Sequence, residues 1–248
     1  MRNQGHAYKL TGLALISSGI ILSTLAFFML TSIPLTALGL STIILGSVML
    51  AVSATLPRIP AEASRLMLES GIRNASALIE ELGLRSKAIY LPSRLTGGKP
   101  LALIPLASNP ETPRIAKPIS KRLIVQFGLD PENIGLLMET PGTLAAEMFE
   151  KPSEKSAGAL ETAISTLLVN VLGVVDSVRI SIEDERLAVE LLNPKVDFEE
   201  EAMALKVLGS PLASTVASLI AESLDKPVIV DSEENTGKAL LIRLQVVG

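Results

Sequence analysis

The sequence contains no cysteine and no tryptophan, and its single histidine is His6. A chain without cysteine forms no disulfide, has no thiolate nucleophile and offers no cysteine ligand to zinc or to an iron–sulfur cluster. Because the one histidine precedes the first predicted helix, the remaining chain has neither a histidine general base nor a multi-histidine metal site. We therefore predict no catalytic residue, no metal site and no cofactor.

Charge is absent from one long segment, because no charged residue occurs between Leu10 and Pro57, a run of 48 positions. About 20 apolar residues in a helix span a hydrocarbon core about 30 Å thick. The run is too long for one span, and Pro34 interrupts it because proline opposes continuation of a helix. We predict a two-helix transmembrane hairpin at 10–57, with spans at 10–30 and 35–56, behind a short N-terminal segment at 1–9.

The residues that flank this hairpin predict its orientation. Arg2 and Lys9 precede the first span, Arg58 and Arg65 follow the second, and the connecting loop carries no charge. By the positive-inside rule, the amino and carboxyl termini are both expected in the cytoplasm, with the hairpin in the cell membrane. A cleaved signal peptide is the alternative for the first span, although its apolar stretch is longer than a usual signal-peptide core.

Small residues recur at four-residue spacing along both predicted spans, as in the pairs Gly19 and Ser23 on the first and Ala37 and Ser41 on the second. Stripes of this kind allow two helices in a membrane to approach closely. The stripes are expected to pack the hairpin against itself. The alternative is that one stripe docks a second copy of the chain or another membrane protein.

From Arg58 onward the sequence has the composition of a water-soluble domain in which amphipathic helices alternate with short strands. The predicted fold class is an α+β soluble domain, divided into a half at 58–142 and a half at 143–248. Gly71 is expected to end one helix, and Asn74 and Thr143 are expected to cap two others. The predicted helices are 61–70, 75–82, 143–150, 156–172, 198–208 and 211–224. The predicted strands are 88–91, 101–106, 122–127, 134–139, 175–182, 186–192, 227–231 and 239–247.

The two halves follow a similar order of elements. In each half a helix ends in Leu-Gly, at Gly83 and at Gly173, and a predicted hairpin follows. This order predicts a tandem duplication of an α-β-β-x-β-β unit. The alternative is chance, because a helix followed by a hairpin is a common arrangement.

Charge separates the two halves. Residues 58–122 hold 11 Lys and Arg against five acids, whereas residues 123–248 hold nine against 21. Anionic lipid headgroups would attract the basic half toward the bilayer, or its charges are simply solvated. The acidic half and the scarcity of aromatic residues argue against nucleic acid as a partner. The predicted membrane-surface basic cluster is Arg58, Arg65, Arg114, Lys117, Lys121 and Arg122.

Two turns are candidates for binding a small anion, since free N–H groups at a helix N-terminus attract phosphate or carboxylate. One turn contains Thr140, Gly142 and Thr143, and the other contains Gly209, Ser210 and Ser214. Neither turn has the lysine and glycine spacing of a phosphate-binding loop. Ordinary capping of the two helices is the alternative.

These observations favour a non-enzymatic, membrane-anchored cytoplasmic domain that binds or scaffolds a partner, such as a second copy or a membrane protein. One alternative is a small-ligand sensor, or a carboxylate-based enzyme, that uses the turns at 140–143 and 210–214. A further alternative is an accessory subunit of a membrane transport complex. A pocket lined by both turns would favour the sensor, and two capped, filled helix ends would favour the scaffold.

Overall fold

The computed structural model describes residues 4–55, 61–106, 115, 118–119, 122–127, 133–183, 186–196 and 202–247. The chain forms two compact units, Met1–Glu69 and Ser70–Gly248.

The first unit contains two apolar helices, α1 (Gln4–Phe28) and α2 (Ile33–Thr55). The stretches Tyr8–Phe28 and Ile33–Ala54 are long and apolar enough to cross a membrane, which confirms the two predicted apolar spans. Between the helices Thr31 has a left-handed backbone with φ of 46°, and Pro34 lies in the first turn of α2, where its missing N–H costs nothing.

Glycine allows the two helices of the hairpin to approach backbone to backbone. A Cβ added to Gly19 would lie 2.8 Å from the carbonyl oxygen of Gly39, and one added to Gly46 would lie 2.8 Å from that of Gly12. These four glycines are buried, whereas Ala37 and other small residues at the predicted spacing lie on the outside of the hairpin. Some small residues of the predicted stripes therefore form the contact between α1 and α2, and the others lie on the outer surface of the hairpin.

The first element after the hairpin is one continuous helix, α3 (Ala61–Glu81). The predicted break at Gly71 and the predicted cap at Asn74 are therefore wrong. A glycine inside a helix costs only about 1 kcal/mol relative to alanine, which the packing of Ile72, Ala75 and Ile79 against the core outweighs.

The second unit is built on one antiparallel eight-stranded sheet, with the strand order β3-β4-β2-β1-β7-β8-β6-β5. The sheet and its helices confirm the α+β class. The strands are β1 (Ile89–Leu91), β2 (Leu101–Pro105), β3 (Ile124–Gln126), β4 (Ile134–Met138), β5 (Ser177–Glu183), β6 (Arg186–Leu192), β7 (Val228–Asn235) and β8 (Ala239–Val246). The helices after α3 are α4 (Ser93–Thr96), α5 (Pro141–Ala145), α6 (Ala157–Ser165), α7 (Met203–Leu208) and α8 (Pro211–Leu224).

Side-chain alternation divides the sheet into two apolar layers. The larger core lies between the sheet and the helices and contains alternate residues of every strand except β3, such as Tyr90 and Val189. The smaller core lies on the opposite face of β1 to β4, where Leu103 and Leu137 pack with Leu95, Ile115 and Ile119. On β5, Val178 and Ile180 are buried and Arg179 and Ser181 are exposed, as the alternation predicts.

The hairpins of the two halves occupy different places in the sheet. In the first half the earlier hairpin, β1 with β2, lies at the centre, whereas in the second half the earlier hairpin, β5 with β6, lies at the edge. If the two hairpins of one half exchanged their order along the chain, the strand orders of the two halves, counted from the edge of the sheet to its centre, would be the same. The sheet also contains strands from both predicted halves. The tandem duplication stays a prediction.

A third stretch, Met203–Leu224, also meets the length and composition of a membrane span. It consists of two separate helices, α7 and α8, because Gly209 takes a left-handed φ of 76° and Ser210 begins a new helix. Most of the stretch is buried within the second unit, where Val216, Leu219 and Ile220 pack into the larger core. Its apolar character is therefore explained by the protein interior.

We predict that Gly19→Val separates α1 from α2, because the added side chain would collide with the backbone of Gly39 and with Ile43. Spin labels on Tyr8→Cys and Ala54→Cys, in a chain with no other cysteine, would then give a longer and broader distance distribution. Ala14→Val, on the exposed face of the same helix, is the matched control and should leave the distribution unchanged. A compact Gly19→Val hairpin would contradict this packing.

Candidate functional site

The first candidate turn is at the N-terminus of α8, and the protein's own groups fill it. The Ser210 hydroxyl oxygen accepts from the Ala213 N–H at 3.1 Å, and the Glu233 carboxylate accepts from the Ser210 N–H at 2.9 Å. A Cβ added to Gly209 would lie 2.6 Å from the same Glu233 oxygen. An internal carboxylate thus occupies the place where an external anion would bind.

A buried tyrosine completes this end of α8. The Tyr90 side chain is 1% exposed, and its hydroxyl donates to the carbonyl oxygen of Leu208. Burial raises the pKa of Tyr90 well above its usual value, the nearby Glu233 carboxylate raises it further, and a hydrogen bond with Ser214 lowers it. The phenol is therefore neutral at physiological pH and holds the end of α7 against β1.

The second candidate turn packs against the middle of α8. The Thr140 N–H donates to the Thr143 hydroxyl at 3.0 Å, and the Thr140 and Ser218 hydroxyl oxygens are 3.4 Å apart. Ser218 in turn donates to the Ser214 carbonyl oxygen at 2.9 Å. A Cβ added to Gly142 would lie only 2.3 Å from the Ser218 hydroxyl oxygen, so only glycine fits this contact.

Thr140, and not Thr143, is the N-cap of α5, so the predicted start of this helix at Thr143 is wrong. Pro141 explains the difference, because its fixed φ suits the first position of a helix. Thr143 therefore lies in the first turn and hydrogen-bonds back to the cap. The structure brings Thr140, Gly142 and Thr143 beside Ser214, whereas Gly209 and Ser210 stay at the end of α8. Neither of the two cavities that adjoin these elements is lined by residues of both turns.

A second helix N-terminus is also filled by a carboxylate, which the sequence did not predict. Glu222 accepts from the Ser93 N–H at 2.7 Å and from the Ser93 hydroxyl at 2.8 Å at the start of α4. The Lys151 ammonium group lies 3.9 Å from the same carboxylate. Glu222 lies in the last turn of α8, where a negative charge interacts unfavourably with the helix dipole. That unfavourable position is the one feature of the sequence that indicates a distant partner for Glu222.

Two of the cavities in the described part of the second unit adjoin these elements. The smaller cavity has a volume of about 150 Å³. It is lined by charged and hydroxyl-bearing residues, including Ser93, Lys99, Lys151 and Glu222. The larger is a groove of about 650 Å³ with a mainly apolar lining. Its lining residues are Thr96, Gly98, Lys99, Leu101, Arg122, Leu123, Leu137, Met138 and Glu139.

The predicted basic cluster is described only in part. Arg122 lines the large groove, and Arg65 belongs to α3. Arg58, Arg114, Lys117 and Lys121 lie outside the described residues. Among the described residues, no group of three or more histidine, aspartate or glutamate side chains is arranged to hold a metal ion.

We predict that Gly142→Ala destabilises the second unit by more than about 2 kcal/mol, because the methyl group would collide with Ser218 and with the backbone of α8. Gly158→Ala is the matched control. Nothing lies within 4 Å of a Cβ at Gly158, so that change should leave stability unchanged or raise it by up to about 1 kcal/mol. Urea unfolding of the full chain, followed by circular dichroism, measures both. Equal stabilities would contradict the close contact.

We predict a pH-dependent effect of Tyr90→Phe. Near pH 7 the variant should be less stable by about 1 kcal/mol, because it loses the hydrogen bond to Leu208. In the wild type the folded-state pKa of Tyr90 is raised, so its contribution is complete below the unfolded pKa of about 10 and falls above it. The difference in unfolding free energy between the wild type and the variant should therefore become smaller above about pH 10. Urea unfolding near pH 7 and pH 10.5 tests this, with Tyr8→Phe as control, and a constant deficit would contradict it.

Comparison with known proteins assigns the chain to a family without supplying an activity. No curated protein matches the chain. A family model described as a domain of unknown function, DUF7982, matches residues 1–245. The match covers both apolar helices of the hairpin and all eight strands of the sheet except the last residue of β8. The chain therefore belongs to the DUF7982 family.

Proposed function

We propose that this protein is a non-enzymatic, membrane-anchored binding or scaffolding module, with its sheet domain in the cytoplasm. The observation that carries the proposal is the filling of both candidate turns. Glu233 and Ser210 occupy the N-terminus of α8, and Thr143 satisfies the N–H of Thr140. In an enzyme or a sensor these groups would bind a substrate or a small anion. In this protein they form hydrogen bonds within the fold.

The hairpin provides the anchor in this proposal. Its two helices are long and apolar enough to cross a bilayer, and they are joined by a short turn without charge. Arg2 and Lys9 on one flank and Arg58 on the other favour the cytoplasm for both termini. The cell membrane is the proposed location.

The outer surface of the hairpin supports an assembly role. Ala14 and Ser18 on α1, and Ala37 and Ser41 on α2, are exposed at four-residue spacing. They are free to pack against another transmembrane helix, because the contact within the hairpin uses Gly12, Gly19, Gly39 and Gly46 instead. The proposed partner is a second copy of the chain or another membrane protein.

The experiment that tests this proposal is site-directed labelling of the full chain in its own membrane. The absence of cysteine makes single substitutions specific. Ile33→Cys, at the 82% exposed turn of the hairpin, should react with an impermeant maleimide in intact cells. Lys238→Cys, in the exposed turn between β7 and β8, should react only after the membrane is permeabilised.

Light scattering after gentle extraction provides the second readout. The proposal predicts an assembly larger than one chain, and Ser18→Leu on the outer face of α1 should reduce its mass. Ile20→Leu, which is also exposed on α1, is the matched control. Labelling of Lys238→Cys in intact cells would overturn the cytoplasmic assignment. A monomer with no partner would overturn the scaffolding role.

A further inference from the structure

The first turns of α3 carry two large apolar side chains that are mostly exposed. Leu66 is 68% exposed and Met67 is 70% exposed. Farther along the same helix, the exposed fraction of Leu78 falls to 36%. The exposed apolar surface of α3 is therefore concentrated at the end that directly follows the hairpin in the sequence.

These two side chains point away from the core of the second unit. Ile72, Ala75 and Ile79 of α3 pack against the larger core. Successive residues of an α-helix are about 100° apart around its axis, so Leu66 and Met67 lie more than about 100° from the centre of that packed stripe. Packing of α3 against the larger core therefore leaves them to water or to a partner outside this contact.

The outward face of α3 changes from apolar to polar along the helix. The exposed residues that follow Leu66 on this face, at steps of about one turn, are Ser70, Asn74, Ala77 and Glu81. A protein partner that packed along the whole helix would meet apolar side chains only in its first turns. A lipid surface that only this end of the helix reaches fits the change in polarity.

The apolar end of α3 belongs to the same compact unit as the hairpin. That unit is Met1–Glu69, and residues 56–60 alone separate α2 from α3. The backbone from Thr55 to Ala61 extends at most about 22 Å, so α3 begins within that distance of the end of the second apolar helix. The headgroup layer of a bilayer begins where a membrane-spanning helix leaves the hydrocarbon core. Lipid is therefore the partner nearest to Leu66 and Met67.

The charges of this segment cancel. Residues 61–73 contain two acids and two arginines. Anionic headgroups would therefore gain little from contact with this part of α3. A contact with lipid would depend on the apolar side chains and would form on a neutral bilayer as well.

We propose that the first turns of α3 lie on the membrane surface, with Leu66 and Met67 inserted below the lipid headgroups. Amphipathic helices of this kind bury their apolar side chains about 5–10 Å into the boundary between headgroups and acyl chains. The inference rests on the proposed function, because the hairpin has to be the membrane anchor. It adds a membrane contact outside the two spans, at the helix that leads into the second unit.

Collisions of spin labels with oxygen and with a neutral nickel chelate test this contact in the full chain, reconstituted in phosphatidylcholine vesicles. Oxygen concentrates in lipid, the chelate concentrates in water, and a label covered by protein meets neither. Labels on Leu66→Cys and Met67→Cys should collide more with oxygen than with the chelate. Asn74→Cys and Ala77→Cys, exposed on the outward face of the same helix, are the matched controls and should show the reverse.

A pair of glutamine substitutions tests whether the two apolar side chains make the contact. Ser70→Cys carries the label one turn beyond Leu66, at an exposed position. Leu66→Gln combined with Met67→Gln should raise the collisions of this label with the nickel chelate, because the helix would leave the lipid. Ala77→Gln, on the outward face of the second half of α3, is the control and should leave them unchanged.

Four results would overturn the proposal. More collisions with the chelate than with oxygen at residues 66 and 67 would mean that water covers them. Few collisions with either reagent would mean that a protein surface covers them. A contact that forms only after phosphatidylserine is added would mean attraction between charges. An unchanged label at residue 70 in the glutamine pair would mean that the two side chains do not hold the helix.

This proposal and the proposed function fail separately. Labelling of Lys238→Cys in intact cells would overturn the cytoplasmic assignment while the labels at residues 66 and 67 still reported lipid. Val48→Cys, at an exposed position of α2, provides the reference for the hairpin. If the label at residue 48 reports lipid and those at residues 66 and 67 report water, the contact of α3 is removed and the anchor remains.

Discussion

The burial of α8 is the constraint on which the second unit depends. Eleven of its 14 residues are buried, so the helix is surrounded by protein on nearly every side. At both ends, where Ser210, Leu224 and Asp225 are half-buried, side chains of the protein bind the N–H and carbonyl groups that a helix leaves without internal partners. The N-terminus is satisfied by Ser210 and Glu233, and at the C-terminus the Lys155 ammonium group donates to the Leu224 carbonyl oxygen at 2.7 Å. Asp225 ends the helix in a left-handed conformation and pairs with Arg94 at 2.8 Å.

This constraint explains why the polar residues that resemble a binding site are occupied. A buried polar group without a partner costs about 1–3 kcal/mol, so a fold with a central buried helix needs hydroxyls and carboxylates in defined places. Thr140, Ser214 and Ser218 supply the hydroxyls on one side of α8, and Glu222 carries a carboxylate to the start of α4. Among the described residues, no buried side-chain nitrogen or oxygen lacks a partner. The polar groups around α8 are therefore a structural network, and the groove beside Arg122 is separate from it.

Local pattern was sufficient to predict many of the elements. The uncharged run with Pro34 predicted both apolar helices, alternation along residues 177–182 predicted β5, and Ser210 followed by Pro211 predicted the start of α8. The break predicted at Gly71 failed because packing of the α3 side chains outweighs the low helix propensity of one glycine.

The remaining features depend on contacts between residues that are distant in the sequence. Glu222 meets Ser93 across 129 positions, and Glu233, which follows a register shift between Val230 and Ser232 on β7, meets Ser210 across 23 positions. The strand order also depends on residues far apart in the sequence, since β1 pairs with β7 at the centre of the sheet. The turn at Ser210 was correctly identified as a helix start, the start predicted at Thr143 was three residues too late, and the contribution of Glu233 could not be predicted from the sequence.

Hydrogen exchange of the backbone amides at residues 210–214 in the full chain tests most directly whether α8 is capped from within. With Glu233 and the Ser210 hydroxyl as acceptors, the amides of Ser210 and Ala213 should exchange slowly, and added phosphate should not change their rates. Fast exchange at these two amides that phosphate slows would mean that the N-terminus of α8 is an open anion site. That result would contradict capping by the protein's own groups and would favour a small-ligand sensor.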